Sequence, residues 1–131
     1  MRQTFMSTAL IVEDCLTDQQ AIAECLYQSG FDVLIASSTE EALEKMSTRQ
    51  PDAIVLDVIL PGRSGFELCR QLKGDPRTAK IPVVLCSTKI TELDRFWGLK
   101  QGADAYLAKP IVREELVQTI KQLVRNYALA A

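Results

Sequence analysis

Histidine is missing from the sequence altogether. That excludes Ser-His-Asp triads, imidazole general bases and every zinc site built on imidazole. An excess of basic residues is missing too: fifteen Lys and Arg face seventeen Asp and Glu, for a net charge of −2. Such a balance gives the chain as a whole no pull toward nucleic acid. Long apolar runs are also absent. Runs such as Ala53 to Leu56 and Ile81 to Cys86 fall far short of the roughly 20 residues a membrane helix needs. The opening MRQTFMSTALIVED reaches acidic residues before any long apolar region or small-residue cleavage site. No signal peptide is read there, and a cytoplasmic location is expected. Cys15, Cys25, Cys69 and Cys86 form no C-x-x-C pair. Without histidine they make no metal set, and they are expected to be reduced, mostly buried thiols that pack as small apolar residues.

What is present is enough chain for one core. The 131 residues, 47% of them hydrophobic, fit a single domain of common size, roughly 100–150 residues. Five short β-type runs alternate with five helical ones. Ala9 to Glu13 is the first strand, followed by a helix over Thr17 to Ser29 with Ala21, Ile22, Cys25 and Leu26 inward and Gly30 as its stop. Phe31 to Ala36 is the second strand. Ser38 then opens a helix with Glu41 as the partner in a capping box and Ala42, Leu43 and Met46 inside. Asp52 to Asp57 is the third strand, with a continuous apolar centre that suggests burial on both faces of a parallel sheet.

Ser64 to Lys73 is the next helix, Ile81 to Cys86 the fourth strand, and about Thr91 to Gln101 a helix stopped by Gly102. Ala105 to Ala108 is the fifth strand. Val112 to Arg125 is the last helix, with Leu116, Val117, Ile120, Leu123 and Val124 on its inner stripe. The expected fold is α/β: a doubly wound (βα)5 domain with helices on both faces of one five-stranded parallel sheet. Its expected bounds are 8–126, between an extension over 1–7, with Met6 as a second start, and a tail over 127–131. Residues 1–6 of the extension are expected to be dispensable and partly disordered.

Ligands of such sheets sit beyond the C-terminal ends of the strands. Glu13 and Asp14 follow the first strand, Asp57 ends the third, Ser87 and Thr88 follow the fourth, and Lys109 and Pro110 follow the fifth. The fold gathers these groups on one edge. Two carboxylates about 5 Å apart at an effective dielectric of 20 repel by roughly 3 kcal/mol. One lysine cannot neutralise three of them, so the set suits a hard divalent cation with oxygen ligands, and a small site that keeps waters suits Mg²⁺.

The stretches IVED at Ile11–Asp14, IVLDVILPGRSGFEL at Ile54–Leu68, PVVLCST at Pro82–Thr88 and GADAYLAKP at Gly102–Pro110 resemble the receiver domains of two-component response regulators, the CheY-like family. The resemblance spans roughly residues 8 to 126. It implies a flavodoxin-like sheet of order 2-1-3-4-5 and phosphorylation of Asp57 by the phosphohistidine of a histidine kinase. It also implies Mg²⁺, with Mn²⁺ as a substitute, held by Asp14, Asp57 and the backbone carbonyl of Ile59, with Glu13 acting through a metal-bound water. Lys109 and Ser87 would each contact a phosphoryl oxygen, and Tyr106 would be a switch aromatic that turns inward when Ser87 moves. The Lys109–Pro110 bond would be cis.

The resemblance further implies that the protein is not an enzyme, beyond taking and losing its own phosphoryl group. It would be a monomer or weak dimer that binds no nucleic acid or membrane directly. Downstream protein targets would dock on the face made by the fourth helix, fifth strand and fifth helix. RFWGLKQGADAYLAKP is similar to single-domain regulators of type IV pilus motility, the PilH-like group, including those linked to phototaxis. Ile59, two residues beyond Asp57, is apolar where the family often has a polar residue, and Lys89, two residues beyond Ser87, adds a cation near the same rim; both are expected to govern the lifetime of the phosphoryl group.

Other readings fit less well. An aspartyl-phosphate phosphatase of the haloacid-dehalogenase type wants a second Asp where Ile59 stands. A flavin module wants an anion-binding first loop, which Glu13 and Asp14 would repel. A pseudo-receiver, docking without phosphorylation, is the alternative, and retention of Asp14, Asp57, Ser87 and Lys109 together argues against it.

Overall fold

The computed structural model describes residues 7–130, so the expectation of a dispensable stretch over 1–6 lies outside the described residues. Strands β1 (Thr8–Val12), β2 (Asp32–Ala36), β3 (Ala53–Asp57), β4 (Val83–Ser87) and β5 (Ala105–Ala108) alternate with helices α1 (Leu16–Gln28), α2 (Thr39–Thr48), α3 (Gly65–Gly74), α4 (Glu92–Lys100) and α5 (Arg113–Ala130). All strand pairs are parallel, and the order is β2-β1-β3-β4-β5. This is the expected doubly wound sheet. No described helix is long and apolar enough to cross a membrane.

The continuous apolar strands are explained by two cores. Successive strand residues face opposite sides of a sheet. Leu10, Val12, Ile54 and Leu56 pack with Ala42 and Met46 of α2 and Leu68 and Leu72 of α3. Ala9, Ile11, Val55 and Val84 pack on the other side with Ile22 and Leu26 of α1 and Leu116 and Ile120 of α5. α4 is the exception: Gly98 is its one buried residue, so it rides on the sheet edge with its apolar side chains outward.

Local chemistry sets the helix ends. Ser38, Ser64 and Thr91 cap α2, α3 and α4 by accepting from the N–H three residues on. Thr91 and Asp94 complete a capping box, whereas the box expected at Ser38 is offset. The Glu41 side chain accepts from the N–H of Ser37, not Ser38. Ala21, expected inside, faces solvent, and the stripe instead runs Gln19, Ile22, Leu26. Of the cysteines only Cys69 and Cys86 are buried, Cys25 is half-buried and Cys15 is exposed. Burial raises the Cys69 thiol to about 11 and the Cys86 thiol to about 12.

α5 continues past Arg125 to Ala130 because Tyr127 has partners. Its hydroxyl donates to Asp104 Oδ1 at 2.6 Å and accepts from Lys73 Nζ at 3.1 Å. Lys73 also pairs with Asp104 Oδ2 at 3.0 Å and donates to the Ile81 carbonyl at 2.8 Å. Hydrogen bonds to charged groups contribute about 1.5–3 kcal/mol, so Tyr127→Phe is expected to lower stability by about 1.5 kcal/mol in urea melts, and an unchanged midpoint would show that the hydroxyl adds nothing.

Candidate functional site

β3 delivers Asp57 to the C-terminal edge of the sheet, opposite Cys86 in the β3–β4 register. The ladder runs one step beyond three strands: the N–H of Glu13 donates to the Ala36 carbonyl, that of Val58 to Cys86 and that of Lys109 to Ser87. These bonds extend the strand pairing into the residues that carry the site. Glu13 and Ser87 are buried, Asp57 is 6% exposed, and Asp14 faces solvent.

The edge gathers the acids as the sequence suggested. One carboxylate oxygen from each of Glu13, Asp14 and Asp57 lies within 4.8 Å of the other two. Three hard oxygen donors so close together fit a divalent cation such as Mg²⁺. Lys109 meets this charge directly. Its Nζ lies 2.5 Å from Glu13 Oε1, 2.9 Å from Asp18 Oδ2 and 3.3 Å from Asp57 Oδ2.

The charges perturb one another. Burial raises the Glu13 carboxyl to about 7; the hydrogen bond from Lys109 opposes that rise, and Asp57 adds to it. Burial works against the Lys109 ammonium, but Glu13, Asp18 and Asp57 outweigh it and hold the group well above its ordinary pKa. The lysine stays charged, and the acids are short of counter-charge.

The remaining candidates sit on the rim. Ile59 is 51% exposed, and its N–H donates to Asp57 Oδ1 at 3.3 Å. Lys89 is exposed; its N–H donates to Ser87 Oγ at 3.0 Å, and its carbonyl accepts from the Tyr106 hydroxyl at 2.5 Å. Ser87 and Tyr106 are thus linked through the Lys89 backbone. Tyr106 is buried, only 7% exposed, so its ring lies inward. Gly98 makes room for it, since a Cβ there would stand 2.7 Å from the Tyr106 ring. Arg95 lies over the outer side, 5.6 Å from the ring centroid. The Lys109–Pro110 bond is cis, as expected.

Three residues of the site escaped the sequence reading. Asp18 looked like an ordinary acid in a first helical turn, a favourable place for one, and no local pattern sets it apart. Gln19 carries no apolar signal, yet it occupies the inner stripe of α1, and a buried amide there needs partners. It finds them in the Glu13 carbonyl and Ser37 Oγ. Gly65 packs so closely on the backbone of Asp57 that a Cβ would lie 2.0 Å from the Asp57 carbonyl oxygen.

The response regulator receiver domain family matches residues 9–121. Protein PilH of Pseudomonas aeruginosa is 36% identical over 119 residues, covering 91% of this chain and 98% of PilH. The phosphate regulon transcriptional regulatory protein PhoB of the same organism is 41% identical over 119 residues, covering 91% of this chain but only 52% of PhoB. This chain therefore spans about half of PhoB. A crystal structure of a putative response regulator from Chloroflexus aurantiacus superposes with a TM-score of 0.89 at 34% identity, covering 92% of this chain and 99% of that one.

Proposed function

This chain belongs to the response regulator receiver domain family of two-component signalling, and on that premise we propose that it is a phosphorylation switch whose acceptor is Asp57. The observation that carries the reading is the placing of Lys109 Nζ 3.3 Å from Asp57 Oδ2 beside a tight triad of carboxylates. An Asp57 oxygen bonds to phosphorus as the bond from phosphorus to the phosphohistidine nitrogen of a histidine kinase breaks, and the departing imidazole takes a proton from solvent. Lys109 receives the charge of a phosphoryl oxygen, and Ser87 donates to another. Such transfer depends mainly on positioning and charge neutralisation. Asp14, Asp57 and the Ile59 carbonyl would hold Mg²⁺ or Mn²⁺, with Glu13 behind them, and the ion would supply the positive charge this site lacks.

The protein acts through contacts and is not an enzyme in its own right. Its location is the cytoplasm, its working unit is the domain expected over 8–126 together with the end of α5 that carries Tyr127, and it is a monomer or weak dimer. Leu93, Phe96 and Trp97 on α4 are at least half exposed, which supports docking of a protein target on the face of α4, β5 and α5. Alignment with nearly all of PilH supports a single-domain regulator of pilus motility, with phototaxis as the other motile response such a regulator would serve. The test is intact mass after incubation with acetyl phosphate and Mg²⁺: one phosphoryl group is expected, and none with chelator. No adduct with the metal present would leave a pseudo-receiver that docks without phosphorylation.

Two further outcomes follow. Ser87→Ala should still take the phosphoryl group, because Asp57 and Lys109 remain. It should lose the response of Lys89 and Tyr106, whose link to Ser87 runs through the Lys89 N–H and carbonyl. Amide shifts there that match phosphorylated wild type would contradict the coupling. The lifetime of the phosphoryl group depends on water reaching phosphorus opposite the Asp57 oxygen, past Ile59 and Lys89. Ile59 offers that water no hydrogen bond. Replacing the pair by Ile59→Asn with Lys89→Glu is expected to speed loss of phosphate about tenfold, or about 1.4 kcal/mol in barrier. The decay is timed after the donor is removed, and unchanged or slower decay would acquit both side chains.

A further inference from the structure

Lys109 has one more carboxylate partner than the proposed chemistry uses. An ammonium donates three protons, and the three acceptors are Glu13, Asp18 and Asp57, at 2.5, 2.9 and 3.3 Å. Transfer from acetyl phosphate makes the bond between an Asp57 oxygen and phosphorus, breaks the bond from phosphorus to the acetate oxygen, and releases acetate as the anion. No proton moves. The contribution of Lys109 is therefore positive charge and the direction of one N–H.

Direction needs two anchors. A single hydrogen bond to Glu13 leaves the ammonium free to spin about the line between the two atoms. A second, well off that line, stops the spin and aims the remaining N–H. The two shorter contacts, to Glu13 and Asp18, are the anchors; the longest points at Asp57.

Asp18 is itself held firmly enough to serve. It lies in the first turn of α1, and Gln19 beside it is 6% exposed. Gln19 donates to the Glu13 carbonyl and to Ser37 Oγ, tying that turn to the loop that carries Glu13. The Gln19 N–H also donates to the Cys15 carbonyl at 2.9 Å. The Asp18 side chain is 42% exposed, against 1% for Glu13 and 8% for Asp57. Its carboxylate is thus open to solvent on one side and bonded to Lys109 on the other.

We propose that Asp18 is a positioning residue for phosphoryl transfer: with Glu13 it orients the Lys109 ammonium so that the third N–H faces Asp57 and then the incoming phosphoryl oxygen. The inference rests on the proposed role of Asp57 and adds a residue to it. Asp18 stands outside the triad of Glu13, Asp14 and Asp57, so its part is directed at the lysine and not at a cation.

The test pairs two variants with two measurements on the full chain. Asp18→Ala removes the anchor, while Asp18→Asn keeps an acceptor oxygen at the same reach; amide spectra check that both are folded. The first measurement is the ¹⁵N-resolved NMR signal of the Lys109 ammonium, visible only while the group is held against exchange with water. The signal is expected in wild type, weakened in Asp18→Asn and lost in Asp18→Ala. The second is the rate of phosphorylation by acetyl phosphate at saturating Mg²⁺. It is expected to fall about tenfold in Asp18→Ala and at most a few-fold in Asp18→Asn, since small misplacements of a charged group cost this much or more. An intact ammonium signal in Asp18→Ala overturns the proposal, whatever the rate. A lost signal with an unchanged rate overturns it as well. If wild type itself takes no phosphoryl group, the function of Asp57 fails while the ammonium signal still decides whether Asp18 anchors Lys109.

Discussion

Asp57→Asn protein is expected to gain no phosphoryl mass from acetyl phosphate and Mg²⁺, and to resist urea better than wild type when no metal is added. The first outcome follows from chemistry: an amide oxygen is no nucleophile toward phosphorus, whatever its position. The second follows from the charges. Asp57 sits beside Glu13 and Asp14, with oxygens of all three within 4.8 Å, and among the described residues its one ion-pair partner is Lys109 at 3.3 Å. Above the raised Glu13 value of about 7, where that carboxyl is charged, each repulsion costs roughly 3 kcal/mol at an effective dielectric of 20, and the single attraction offsets one of the two. The amide keeps an oxygen for the Ile59 N–H, which now bonds Asp57 Oδ1, so little packing is lost. A gain of about 1 kcal/mol is expected, after allowing for the weakened contact with Lys109. Saturating Mg²⁺ should reverse the order, because the cation binds the folded wild type more tightly and stabilises it by mass action. An adduct that persists in Asp57→Asn would place the nucleophile elsewhere. A variant less stable than wild type without metal would mean that the acids are already neutralised.

The elements of this fold were readable because the physics that makes them is local. A strand buried on both faces must be apolar throughout, and DAIVLD and IPVVLC leave little else to read. Ser64 and Thr91 announce helix starts by the hydroxyl each can offer, and Gly102, at a φ of 101°, marks the end of α4. The errors fall where tertiary contacts decide. α5 runs through Tyr127 because Asp104 and Lys73 wait for its hydroxyl, and neither lies near it in sequence. Ala21 and Gln19 exchange places because the buried amide is satisfied by the Glu13 carbonyl and Ser37, which an apolarity count along one helix cannot see.

The site divides the same way. Glu13, Asp14, Asp57, Ser87 and Lys109 were legible because a parallel sheet carries the ends of its strands to one edge, so position in sequence becomes position in space. Asp18 was not, since the turn that aims it at Lys109 depends on α1 being anchored by its neighbour. Nor was the inward setting of Tyr106, which requires both the missing side chain at Gly98 and the Lys89 carbonyl.

Gly65→Ala should cost the protein both stability and reactivity, and the comparison with Gly62→Ala separates the two. Gly65 is the first residue of α3, and its N–H donates to the Val58 carbonyl at 2.8 Å. Its backbone is not in the left-handed region, so the demand is for space alone. A Cβ would lie 2.0 Å from the Asp57 carbonyl oxygen and 2.9 Å from Val58 Cα. Both obstacles are backbone, and neither can rotate away. Either the start of α3 lifts or the Asp57–Val58 peptide shifts, and both break the packing of a dense interior. The loss is expected to be about 2–3 kcal/mol in urea melts. Because Asp57 moves with that peptide, its distance from Lys109 changes as well, and phosphorylation by acetyl phosphate should slow by roughly ten- to a hundredfold even where the protein is fully folded. Gly62 is the opposite case: its φ is 78°, with nothing within 4 Å of a Cβ. Alanine there meets only the backbone penalty of that conformation, about 1 kcal/mol, and should leave the phosphorylation rate within about twofold of wild type. If Gly65→Ala matched Gly62→Ala in both measurements, the close approach of α3 would not be what sets the position of Asp57.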